Sequence, residues 1–152
     1  MTLENTLRHQ LNDPEAGGFH IEAGGWNVTL AADKSDSLSC ALKELSLEKN
    51  APIQEELTPW ATRVADRVTG LLEPLRLVEV DQLLCKALLR SAAPTVRDGK
   101  SLYYELLLVR TERASAILHR YAGQTGEKRE AVPFVLTHDA IVKLVTDIVG
   151  AN

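Results

Sequence analysis

Between Leu102 and Val109 the chain reads as an extended strand with two apolar faces: Leu102, Tyr104, Leu106 and Leu108 on one side, Tyr103, Leu107 and Val109 on the other, with Glu105 as the interruption. Side chains alternate across a strand, so a sheet with one wet face would carry a polar residue at every second position. This strand therefore belongs inside a sheet whose second face is covered, wholly or in part. The N-terminal helix, a second subunit or a ligand could supply the cover, and symmetric dimers are the commonest oligomers.

Two further strand candidates flank it, Leu75 to Ser91 and Ala114 to Ala122, joined through the polar loop Ala93 to Lys100 and a tight turn at Glu112-Arg113. Connections this short make the three strands an antiparallel meander. The first is too long for one straight strand, and its apolar parity shifts near Leu83 and Leu84, which predicts a bulge or break. Upstream, Trp26, Val28, Leu30 and Ala32 have a period of two, Asp33 to Asp36 is a polar turn, and Leu38, Cys40 and Leu42 resume the alternation. That is a hairpin pattern. Leu45 and Leu47 then fall on the opposite parity, so a bulge is expected near Lys43 and Glu44. Phe19 to Glu22 is a short strand candidate between glycine-rich turns, and Ala131 to Leu136 a short extended piece.

Three segments have helical spacing. Leu3, Leu7 and Leu11 follow a Thr2 N-cap, with Glu4 in the first turn and Asn12-Asp13-Pro14 as the stop. Thr58 as N-cap and Pro59 at the first helical position open a central helix carrying Leu57, Trp60, Ala61, Val64, Val68, Leu71 and Leu72, closed by Glu73-Pro74. Thr137 caps a last helix with Ile141, Leu144, Val145, Ile148 and Val149 on its apolar face. The expectation is a single α+β domain over residues 1–152. Its antiparallel sheet has five or six strands, an N-terminal hairpin plus a C-terminal three-strand meander, with the central and C-terminal helices packed on one face. This order of elements is similar to that of small acidic secretion chaperones, which also combine a terminal helix, antiparallel strands and dimerisation. Their sheet is interrupted differently, and the likeness is one of architecture rather than of residue motifs.

The 152 residues are 45% apolar and 25% charged, the composition of a folding domain. Net charge is −4, which excludes wholesale basicity of the ribosomal kind. No run approaches the roughly 18 apolar residues of a membrane helix, and the first residues lack a secretion signal, so a soluble cytoplasmic protein without membrane partners is expected. Cys40 and Cys85 both fall in strand candidates and read as reduced, buried thiols; a disulfide between them is the alternative.

No motif carries a specific chemistry. His9, His20, His119 and His138 lack the spacing and the nearby acids of a metal site, so no metal and no cofactor are implied. Glu79 and Asp81 share a strand face and, with His119, are the weak candidates for acid–base work, but a solvated strand face explains them more simply. Charge is unevenly distributed. Residues 1 to 76 carry 7 basic and 12 acidic side chains, net −5, whereas residues 82 to 129 carry 9 basic and 4 acidic, net +5. With Tyr103, Tyr104 and Tyr121 nearby, the basic meander raises nucleic acid as a partner, but no RNA-binding strand motif accompanies it. Basic surface against acidic surface in an arginine-lined subunit contact accounts for the asymmetry at least as well.

The expected function is thus a non-enzymatic protein-interaction or assembly module, homodimeric or bound to a protein partner through an apolar sheet face. Tyr103, Leu107, Val109, Arg110 and Arg120 are the expected contact residues. The alternative is a small-molecule-binding domain with a cavity between sheet and central helix, lined by Trp60 and Tyr104.

Overall fold

The computed structural model describes residues 2–12 and 18–151. The expected helix stop at Asp13-Pro14 and the turn Glu15-Ala16-Gly17 lie outside the described residues. Helix α1 (Leu3–Leu11) begins as its sequence dictates: Thr2 Oγ1 accepts the Asn5 N–H, and Leu3, Leu7 and Leu11 are buried. Helix α2 (Leu57–Arg67) starts two residues earlier than expected, with Glu56 rather than Thr58 at the N-cap and no side-chain cap bond. Pro59 is tolerated because the first helical N–H groups have no partner within the helix. The helix also ends sooner. Val68 is already extended, Leu71 turns into the core and Leu72 is 71% exposed. Thr69 and Gly70 are poor helix formers, and Pro74 lies ahead. Helix α3 (His138–Gly150) is capped by Thr137, whose Oγ1 accepts the Ala140 N–H.

Among the described residues the chain is α+β, with three helices and a ten-stranded antiparallel sheet, more strands than the five or six expected. Strands β1 (Gly18–Ala23), β2 (Trp26–Ser35) and β3 (Ser39–Lys49) form the N-terminal meander. The segment expected as one long strand is a hairpin, β4 (Leu75–Asp81) and β5 (Lys86–Ser91), so the break at Leu83 and Leu84 is complete. The Asp81 carboxylate holds its turn by accepting the N–H groups of Leu83 and Leu84, and Cys85 takes φ +57 to finish it. Cys85 is therefore a half-buried turn residue; Cys40 is buried, and both thiols are free. Next come β6 (Thr95–Arg97), β7 (Lys100–Arg110), β8 (Ala114–Gly123), β9 (Glu130–Val132) and β10 (Phe134–Thr137).

The order across the sheet is β1-β2-β3-β8-β7-β5-β4, with β10 on β3, β6 on β7 and β9 on β8. The three accessory strands have one physical origin. Strands β3, β7 and β8 are 10 or 11 residues long and outrun their neighbours, leaving backbone N–H and C=O groups that need partners. Short segments of the flanking loops supply them: β10 pairs residues 39–42 of β3 while β8 pairs residues 45–49. The expected bulge is present, since Ala31 pairs Glu44 but Ala32 pairs Leu42. It restores Leu42, Leu45 and Leu47 to one buried face, and the displaced Lys43 and Asp33 form an ion pair at 3.8 Å.

The buried residues of all three helices join one hydrophobic core with the inward residues of the sheet. The N-terminal helix is therefore on the same side as the other two and, against the expectation that it could, does not cover the second face of the sheet. Trp60 is completely enclosed in this core, and Tyr104 is 4% exposed, edge-on to Phe134. Burial of such aromatic side chains is the largest individual contribution to a core of this size.

Candidate functional site: the uncovered face of the sheet

Alternation decides what faces away from the helices. In β7 the even-numbered residues Tyr104, Leu106 and Leu108 point to the core, so Tyr103, Glu105, Leu107 and Val109 point outward. In β8 the inward set is Ala114, Ala116 and Leu118, and the outward set Ser115, Ile117, His119 and Tyr121. No helix among the described residues packs on this second face.

Strand registers align the outward side chains in rows that run across the sheet. The middle row, from β4 to β1, is Glu79, Leu88, Leu107, Ile117, Ser46, Thr29 and His20. Its three apolar members are adjacent and half-buried, and Val109 extends the patch on β7. One flanking row is Asp81, Lys86, Val109, Ser115, Glu48, Asn27 and Glu22. On the other side Arg76, Arg90, Glu105 and His119 follow one another, and His119 Nε2 meets Glu44 Oε1 of β3 at 2.9 Å. The face thus has an apolar centre and charged borders, the anatomy of a protein contact surface.

Glu105 is the buried acid of this face, with its side chain 7% exposed. Arg90 donates to its Oε1 from Nε at 3.1 Å and Nη2 at 2.7 Å, and Arg129 donates to the same oxygen. Arg129 lies 3.8 Å from the centre of the Tyr121 ring, and Arg90 lies 5.5 Å from that of Tyr103. A single carboxylate therefore organises two arginines over two tyrosines. Two shallow depressions flank the apolar patch. One of about 400 Å³ is lined by His20, Thr29, Ser46, Glu48, Arg113 and Ile117 among others, and one of about 170 Å³ by Glu79, Asp81, Lys86, Leu88 and Leu107 among others.

Tyr103, Leu107 and Val109 stand together on this face, as their parity requires. Arg110 and Arg120 do not, which corrects the expected set. Arg110 donates to the backbone carbonyls of Glu55 and Ile53 beside α2. Arg120 is 7% exposed on the helix-bearing side, in a bidentate pair with Glu73 at 3.0 and 3.2 Å. Glu73 also accepts from Ser91 Oγ and Thr95 Oγ1, and the Arg120 guanidinium lies 4.2 Å from the centre of the Tyr104 ring. Leu88 and Ile117 belong to the outward patch and were absent from the expected set. Ile117 was legible from the alternation of β8, whereas its contact with Leu107 depends on a register that no sequence signal gives.

Glu79 and Asp81 line the smaller depression, while His119 sits across β8 beside Glu44, so the three do not share a cleft. Trp60 and Tyr104 are in the core and in the lining of neither depression. Among the described residues there is no cluster of three or more metal-ligating side chains, and no helix is long and apolar enough to cross a membrane. Five of the nine basic residues between positions 82 and 129 are engaged by acids or backbone carbonyls: Arg90, Arg110, Arg113, Arg120 and Arg129. No family model, no curated protein and no solved structure matches this chain.

Proposed function

We propose that the chain is a non-enzymatic interaction or assembly module that pairs with a second copy of itself through the uncovered face of its sheet. The observation that carries this reading is the contiguous patch of Leu88, Leu107, Val109 and Ile117 at the centre of a face with charged borders. Water against four neighbouring apolar side chains is a standing cost, and apposing a second such patch removes it. The engaged arginines support a protein partner over a nucleic acid, because each salt-bridged cation is one fewer for phosphate. The enclosure of Trp60 and Tyr104 supports it over a small-molecule cavity beneath the central helix. Two free thiols fit a reducing compartment, the cytoplasm.

Sedimentation of the wild-type chain beside Leu107→Glu tests the reading. The wild type should sediment as a particle of twice 16.7 kDa, and Leu107→Glu as a folded particle of 16.7 kDa. Equal masses for the two chains, whether single or double, would overturn it.

A further inference from the structure

The pairing proposed above leaves open how the two copies are related, and the charge borders of the face decide between the arrangements. Outward carboxylates on β3 are Glu44 and Glu48; outward cations on the opposite flank are Arg90 and Lys86 of β5 and Arg76 of β4. Strand β3 lies one place from β8, and β5 lies one place from β7 on the other side. Beyond β8 the face therefore carries Glu44 and Glu48, with Arg113 paired to Glu48, while beyond β7 the β5 cations Lys86 and Arg90 come first, Arg90 on Glu105 of β7, and the acids Glu79 and Asp81 lie farther out on β4.

Resting on that reading, we infer that two copies pack face to face about a twofold axis that runs parallel to the strands along the β7–β8 boundary. Rotation about such an axis exchanges the two halves and keeps each row in its place. Leu107 then meets Ile117 of the second copy, Glu48 meets Lys86, and Glu44 meets Arg90. The two acids of β4 meet uncharged side chains, Glu79 against Thr29 and Asp81 against Asn27. A twofold axis perpendicular to the strands would instead lay each half on itself, placing Glu44 on Glu48 and Arg90 on Lys86, with Arg76 on Asp81 the opposite-sign contact at the edge. Like charges brought together in a contact are strongly disfavoured, so the perpendicular arrangement is rejected.

The size of the contact agrees with a specific dimer. Six strands, β2 to β4 in sheet order, take part. At about 4.8 Å between strands and about 6.7 Å between outward rows, three rows cover roughly 600 Å² on each copy. The total of roughly 1,200 Å² reaches the lower bound of standard stable interfaces.

Charge reversal on the facing pair tests the arrangement. Glu48→Lys and Lys86→Glu each place like charges opposite one another twice per dimer, and each alone should weaken the dimer at least roughly tenfold in dissociation constant. Both together in one chain should return the constant to within about threefold of wild type, and a mixture of the two single variants should form a mixed dimer tighter than either variant alone. Thermal melts establish that each variant is folded, since the Arg113 partner lost by Glu48→Lys is an exposed pair of little worth. Single variants as tight as wild type, or a double variant no tighter than the singles, would overturn the arrangement. If Leu107→Glu still gives monomers in that case, the module reading survives and the axis alone is wrong; a wild-type chain that is monomeric throughout overturns both.

Discussion

Glu73 ties three strands together with one carboxylate. Its carboxylate receives Arg120 of β8, Ser91 of β5 and Thr95 of β6, and Ser91 Oγ in turn accepts the Tyr104 N–H of β7 at 2.7 Å. In the sequence Glu73 is legible as half of a helix terminator before Pro74, and it does lie beyond the end of α2. Its inward turn was not legible, because the partners are 18 to 47 residues away along the chain. With Glu73 and Arg120 both nearly enclosed, removing one charge strands the other. Glu73→Gln should cost about 3–5 kcal/mol of unfolding free energy in urea titration, the range for a broken buried pair. A loss of less than about 1 kcal/mol would mean that water reaches Arg120. Burial also pushes the Tyr104 phenol above its ordinary value of 10.0, with nearby Arg120 opposing and Glu73 adding to the rise. The folded state thus holds that proton where the unfolded chain has lost it, so its contribution to stability is intact below about pH 10 and fades as pH rises through the folded value. Tyr104→Phe keeps the ring beneath Arg120 and should flatten the alkaline fall in the urea midpoint; an unchanged slope would assign that fall to other groups.

At the scale of elements, helices and long strands follow from local pattern, whereas short strands follow from neighbours. Thr2 and Thr137 cap the helices that their spacing announces, and the parity change at Leu45 is the bulge that it implies. Strands β9 and β10 are three and four residues long and exist because β8 and β3 present unpaired backbone, which a local reading does not contain. One accessory strand does have a local signal in the sequence. Arg97-Asp98-Gly99-Lys100 joins β6 to β7 with φ +53 at Asp98 and +76 at Gly99, the left-handed pair that a two-residue hairpin turn requires. A side chain added at Gly99 would touch nothing within 4 Å, so any loss on substitution is backbone strain alone. Gly99→Ala should cost about 1–2 kcal/mol in chemical denaturation. No loss would mean that the turn changes type without disturbing β7. Helix α2 failed in the other direction: its apolar spacing continues to Leu72, but Thr69 and Gly70 let the chain leave the helix after Arg67.

For the molecule as a whole, the three described helices lie on one side of a large sheet and leave the other without a helix, so the cover that the two apolar faces of β7 call for is not supplied by any of them. An apolar second face was legible residue by residue. Which apolar residues touch was not, because Leu88, Leu107 and Ile117 come from three strands whose registers are set by the fold. The charge asymmetry of the sequence also changes meaning once folded. Part of the basic surplus turns inward through Arg110 and Arg120, and the outward remainder on β5 stands across the β7–β8 boundary from the carboxylates of β3. An apolar centre gives such a face its affinity, and divided charges give it one orientation. The most direct test is the mass of the wild-type chain by light scattering over a wide concentration range, at low and at moderate salt. A mass of twice 16.7 kDa that falls toward 16.7 kDa on dilution, and does so sooner in higher salt, is the predicted result. A mass of 16.7 kDa at every concentration and both salts would contradict the account.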